Sequence, residues 1–154
     1  MLSAIRHNNY AEFGVKAQVS HVDGFAFTDK LSFDPFSEKK ELENSINKHE
    51  DRFGRPPKYV LIDDGYSSRD NRELMNQKQI EHSLKHIGKP PNDPKMRSLK
   101  RKLRRKRSEI EGLFGHLKEH WSLEKIIYPG EHGVHIQTHL AIGTHNLVKA
   151  LARA

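Results

Sequence analysis

Thirteen residues constrain this chain more than any others. Lys95, Arg97, Lys100, Arg101, Lys102, Arg104, Arg105, Lys106 and Arg107 place nine positive charges between positions 95 and 107, with no acid among them. The block lies inside an amphipathic pattern: Met96, Leu99, Leu103, Ile110, Leu113 and Leu117 recur at spacings of three, four and seven, the period of one helical face. The cations must therefore occupy the remaining faces of a single long helix. A solvated helix face is the ordinary fate of such a run, and its continuation into an apolar stripe argues against a disordered tail. Without the block the formal charge of +7 becomes −2. A concentrated basic stripe on a near-neutral remainder is the electrostatic footprint of a nucleic-acid binder.

At 154 residues the chain has the length of one ordinary domain, and 34% apolar against 31% charged residues implies a small core. We read residues 1–154 as a single partial domain: a strand hairpin over 1–35, a helix, central strand and connecting elements over 36–91, and the basic and closing helices over 92–154. There is no cysteine, which removes disulfides and Cys-based zinc sites. No apolar run approaches a bilayer span and the amino terminus has no signal-like segment, so a cytoplasmic protein without membrane contact is expected.

Local signals order the elements. Phe13, Val15, Ala17 and Val19 alternate as on a half-buried strand, Asp23-Gly24 marks a tight turn, and Phe25, Phe27, Leu31 and Phe33 should share one face of the returning strand, interrupted by Asp29. Asp34-Pro35 stops it. Ser37 can cap a helix carrying Leu42, Ile46 and Phe53, which ends near Gly54. The continuous run Tyr59-Val60-Leu61-Ile62 within Lys58 to Asp63 suits a central strand covered on both faces. Ser67 or Ser68 can cap a short second helix through Leu74 and Met75, and Ile80 to Ile87 suits another strand. Asp93-Pro94 opens the long basic helix. After the break at Tyr128-Pro129-Gly130, Ile136, Leu140, Gly143, Leu147 and Leu151 should form the inner face of a closing helix. This order implies an α/β fold, a mixed sheet with helices packed on it.

Two carboxylates stand where chemistry is feasible. Asp63 ends the most apolar strand, and ligands of α/β sheets gather beyond such strand ends. Read alone, the segment favours Asp63 or Asp64 as a turn cap. Glu111 shares a helical face with Arg104, Arg107 and Lys118, at offsets of minus seven, minus four and plus seven. Surface ion pairs, each worth about 0 to 1 kcal/mol, would give the same spacing.

Taken together these residues resemble one family. Asp63-x-Gly65-Tyr66 looks like the motif around the second aspartate of the DDE-class insertion-sequence transposases of bacteria, and Arg107-x3-Glu111-x6-Lys118 looks like their glutamate signature. Phe13-Gly14-Val15-Lys16, Gly115-His116-Leu117-Lys118 and Asn146-Leu147 agree as well, so the resemblance spans nearly the whole chain, as the carboxy-terminal part of such an enzyme. It implies a ribonuclease H-like fold in which two aspartates and a glutamate hold a pair of Mg2+ (or Mn2+) ions for cutting a phosphodiester and joining the freed end to target DNA. By that resemblance Asp63 and Glu111 are catalytic metal ligands. Arg107 and Lys118 position phosphates, and Lys100, Arg101, Arg104 and Arg105 track the DNA backbone without reading sequence.

The chain also departs from the family. Its first aspartate is Asp23, inside the hairpin turn, whereas the family's first catalytic aspartate sits on a strand before the hairpin. Arg104 stands where tyrosine is frequent and Gly112 where proline is. With the first strand and its carboxylate missing, the chain is expected to be inactive alone, with DNA, a homo-oligomer or a complementing upstream fragment as partners. The alternative is a non-catalytic, transposase-derived DNA-binding or regulatory protein. A histidine zinc site, from His116 and His120 with His132, His135 and His139 nearby, is the reading from another class.

Overall fold

The computed structural model describes residues 15–62, 64–84, 94, 97, 98, 101, 112–121, 123, 127, 128 and 130–154. The chain divides into two compact units, Met1–Phe36 with Ile110–Ala154, and Ser37–Glu109.

The first unit begins with an antiparallel hairpin, β1 (Lys16–Val22) and β2 (Phe25–Ser32). Its two-residue turn needs two left-handed residues; Asp23 (φ 48°) and Gly24 (φ 87°) supply them, so the Asp-Gly signal was sound. Gly24 has a second reason to lack a side chain, since a Cβ there would stand 3.0 Å from the Arg153 guanidinium. Pairing runs regularly from Val22↔Phe25 to Val19↔Thr28 and then jumps to Gln18↔Lys30, leaving Asp29 as the extra residue of a β-bulge.

That bulge overturns the expected alternation. Phe25, Phe27 and Leu31 are only half-buried and Phe33 is exposed, whereas Ala26 and Asp29 are buried. One inserted residue exchanges the faces of everything beyond it. Asp29 is kept inside by accepting a hydrogen bond from the Ser20 hydroxyl.

Residues 112–120 are helical (α3), and α4 spans Gly130–Leu151. Leu113 and Leu117, predicted for the inner stripe, are buried with Ala26 and Ile142, flanked by Val19, Phe114, Trp121 and Leu123. Burial of each leucine contributes about 1.5 to 3 kcal/mol. Met96, Leu99, Leu103 and Ile110 of the same stripe lie outside the described residues, as do Phe13 and the proposed cap Asp93; Pro94, Arg97, Ser98 and Arg101 are helical.

The closing helix turns the opposite way from expectation. Val134, Gln137, Thr138, Ala141, Ile142 and His145 are its buried residues, while Ile136, Leu140, Leu147 and Leu151 are 56%, 62%, 60% and 68% exposed, and Gly143 is exposed with them. The physical reason lies in its contacts. Asn146 and His145 bond the hairpin backbone, which brings α4 close to β2 and leaves room there for small and polar side chains only. At its start, Gly133 lies against Tyr128, where an added Cβ would come within 2.6 Å of the Tyr128 Cβ.

The second unit holds α1 (Leu42–Phe53), β3 (Tyr59–Val60), a 3-10 turn (Asp64–Tyr66), α2 (Arg69–Gln77) and β4 (Glu81–His82). Leu42 and Ile46 face inward, but Phe53 is exposed, and Ser37 opens a preceding turn instead of capping the helix. Gly54 ends α1 in the left-handed region, its N–H donating to Glu50 O at 2.7 Å. β3 is shorter than the predicted strand and Tyr59 is 40% exposed, so it is not a strand covered on both faces over its whole length. It pairs in parallel with β4, which is the strand expected within Ile80 to Ile87. Met75, Ile80 and Leu84 are buried beneath. Among the described residues the architecture is mixed α/β, with two two-stranded sheets and helices.

Candidate functional site

The backbone that leads to Asp63 is fixed by the parallel pair. Glu81 N–H donates to Lys58 O and Ser83 N–H to Val60 O. Ser83 then extends the ladder through its side chain: its hydroxyl accepts from Ile62 N–H and lies 3.0 Å from Ile62 O, as donor to it. A serine side chain thus replaces one further strand residue, and holds the chain up to the position before Asp63.

Beyond Asp63 the 3-10 turn ends on Tyr66, which is buried. The Asn71 amide donates to Tyr66 O at 2.8 Å and to Lys39 O at 3.1 Å. Ser68 caps α2 by accepting from Asn71 N–H, as the sequence suggested, and Arg72 donates to the Ser67 hydroxyl and to Ser68 O. The segment on either side of Asp63 is therefore held by side chains whose polar atoms all point at backbone. Sequence reading missed Asn71, Arg72 and Ser83; no spacing rule marks them, because their partners are backbone atoms remote in sequence.

Asp63 and Glu111 themselves lie outside the described residues, as do Lys100, Arg104, Arg105 and Arg107. Arg101 is described, helical and exposed. Lys118 is half-buried on α3, beside the buried Leu117. An aliphatic stem laid along apolar surface with its ammonium at the rim is how a lysine there would present charge.

The histidines form rings in contact, not a cage. His116 and His120 have centroids 4.5 Å apart and His116 meets His145 at 5.6 Å; His135 stacks on His139 at 6.0 Å. Among the described residues no three His, Asp or Glu side chains are arranged to hold a metal ion. His145 has a structural task instead: its Nε2 lies 3.2 Å from Gly24 O, as donor, and desolvation by burial pushes its pKa down, with the backbone bond opposing and His116 and Lys149 adding to the fall.

Comparison with known proteins adds the deciding observation. The family model described as the transposase DDE domain matches residues 60–128. This segment belongs to the transposase DDE family. The DDE segment starts within β3, contains Asp63, the basic block, Glu111 and Lys118, and ends at Tyr128. It relates the chain to DNA transposition and makes DNA its expected class of partner. No curated protein and no solved structure matches the chain. Among the described residues no helix is long and apolar enough to cross a membrane.

Proposed function

We propose that the chain supplies part of the catalytic core of an insertion-sequence transposase, acting on transposon ends and target DNA. The observation that carries this reading is the match over 60–128, which embraces both carboxylate motifs and the cations between them. The hairpin followed by the parallel β3–β4 pair is compatible with a ribonuclease H-like frame. In that frame a further strand carrying an aspartate would lie beside β1, which has no second strand partner among the described residues.

Asp63 and Glu111 would be the metal-binding carboxylates. Carboxylate oxygens are hard donors of the kind magnesium and manganese take, and the bound ions would supply Lewis acidity at the scissile phosphate. Arg107 and Lys118 would orient phosphates, while Lys100, Arg101, Arg104 and Arg105 would neutralise the backbone of the duplex. Two carboxylates in place of three leave the metal site underligated, so this chain by itself does not carry out the full reaction. The alternative, a transposase-derived protein that binds DNA without cutting it, uses the same cations.

The test is magnesium-dependent cleavage of DNA carrying the element's ends, with and without a polypeptide that supplies an upstream aspartate strand. Cleavage only in the complemented reaction, abolished by Asp63→Asn or by Glu111→Gln, is the expected result. Cleavage by the chain alone that Asp63→Asn abolishes would overturn the requirement for a third carboxylate, and no cleavage in either case would favour the DNA-binding alternative.

A further inference from the structure

The exposed side of α4 is not an ordinary solvated face. Ile136, Leu140, Gly143, Leu147 and Leu151 recur at four, three, four and four residues, opposite the buried side formed by Val134, Thr138, Ala141 and His145. Although 31% of the chain is charged, residues 132–148 contain no Asp, Glu, Lys or Arg. A helix apolar all round is one that expects cover on both sides.

Two features of the stripe select its occupant. First, it is nearly palindromic about the midpoint between Gly143 and Thr144: Ile136 mirrors Leu151 and Leu140 mirrors Leu147. An isologous interface requires that kind of self-complementarity, because each patch meets its own copy. Second, the formal charges sit only at the two ends and differ in sign, Glu131 at the amino end and Lys149 and Arg153 at the carboxyl end. An antiparallel pair sets each acidic end beside a basic end and opposes the two helix dipoles; a parallel pair would set like against like.

We infer that α4 pairs with α4 of a second copy, antiparallel, crossing at Gly143. The absent side chain there lets the backbones approach, and nothing of the same chain lies within 4 Å of where a Cβ would stand. The exposed parts of the stripe and Val148 amount to roughly 500 Å2 per copy, so the pair buries about 1,000 Å2, the lower bound of a specific interface. The dimer is accordingly weak and dependent on concentration. It is independent of metal and of DNA chemistry.

Sedimentation of the full chain over a range of concentrations reads the association directly. A mass rising to twice the 17.8 kDa of the monomer, and returning to the monomer when Leu140→Lys is combined with Leu147→Lys at unchanged helix content, is the expected result. A monomer at every concentration, or a dimer that survives the double substitution, overturns the proposal. Should the double variant fail to fold, single cysteines decide, and the chain has none of its own to confuse them. Gly143→Cys should oxidise to a covalent dimer by itself, and Ile136→Cys only when mixed with Leu151→Cys. Self-crosslinking of Ile136→Cys would overturn the antiparallel orientation. Thiols at 136 and 151 that stay unreactive in the monomer would mean the chain covers its own stripe, and would overturn the second copy as its occupant.

Discussion

His145 joins acid sensitivity to the hairpin turn. Its buried ring is held neutral, with a pKa below the ordinary value of about 6.5, chiefly because burial removes water from the charged form. The unfolded chain then binds the proton more readily than the folded one. The stability this residue contributes is complete above the unfolded pKa and is lost as pH falls through it towards the folded value. Melting temperature should therefore drop as pH is lowered from about 7.5 to about 5.5, and the drop should be smaller in His145→Gln, whose amide can still reach Gly24 O without titrating. The difference between the two profiles isolates this ring from the other histidines of the chain. Identical profiles would show that acid acts elsewhere.

At the scale of elements, the decisive joint is between α4 and β2. The Asn146 amide accepts from Ala26 N–H and donates to Ala26 O, both at 2.8 Å, so a side chain pairs with one residue of a strand as a neighbouring strand would. Asn146→Asp keeps the acceptor and loses the donor, leaving a carboxylate oxygen facing a carbonyl. The cost should be about 1 to 3 kcal/mol, read as a lower urea midpoint with an unchanged slope. A neutral result would mean that the hairpin and α4 are held by apolar contact alone. The same joint explains what could be foreseen. Asp23-Gly24, Gly54 and Ser68 were legible because turns, helix ends and caps are decided within a few residues. The direction in which α4 turns was not, since both of its sides are apolar and the choice is made by Asn146 and His145 against a hairpin distant in sequence. Asp29 marked the right place in β2, but a single polar residue on an apolar face does not announce an inserted one. Of the candidate site, spacing gave the carboxylates and cations, whereas the backbone anchors Asn71, Arg72 and Ser83 became visible only once the chain was folded.

For the whole molecule the distribution of charge governs DNA binding. If the block from Lys95 to Arg107 meets phosphates, each contact releases counterions and contributes about 0.9 logarithmic units to the salt dependence of affinity. Replacing Lys100, Arg101 and Arg105 with Gln should reduce that slope by up to about 2.7 and weaken binding alike on unrelated duplexes. A loss confined to one sequence would show that these residues read bases, and an unchanged slope would remove them from the interface. One consequence of the Ala26 pairing reaches beyond the single chain. Because an amide already occupies that position on the outer side of β2, the hairpin can be extended only from β1. Growth of the sheet is one-directional: whichever polypeptide adds there, from the same chain or another, terminates the series, and stacking of hairpins into an endless ribbon has no second side from which to proceed.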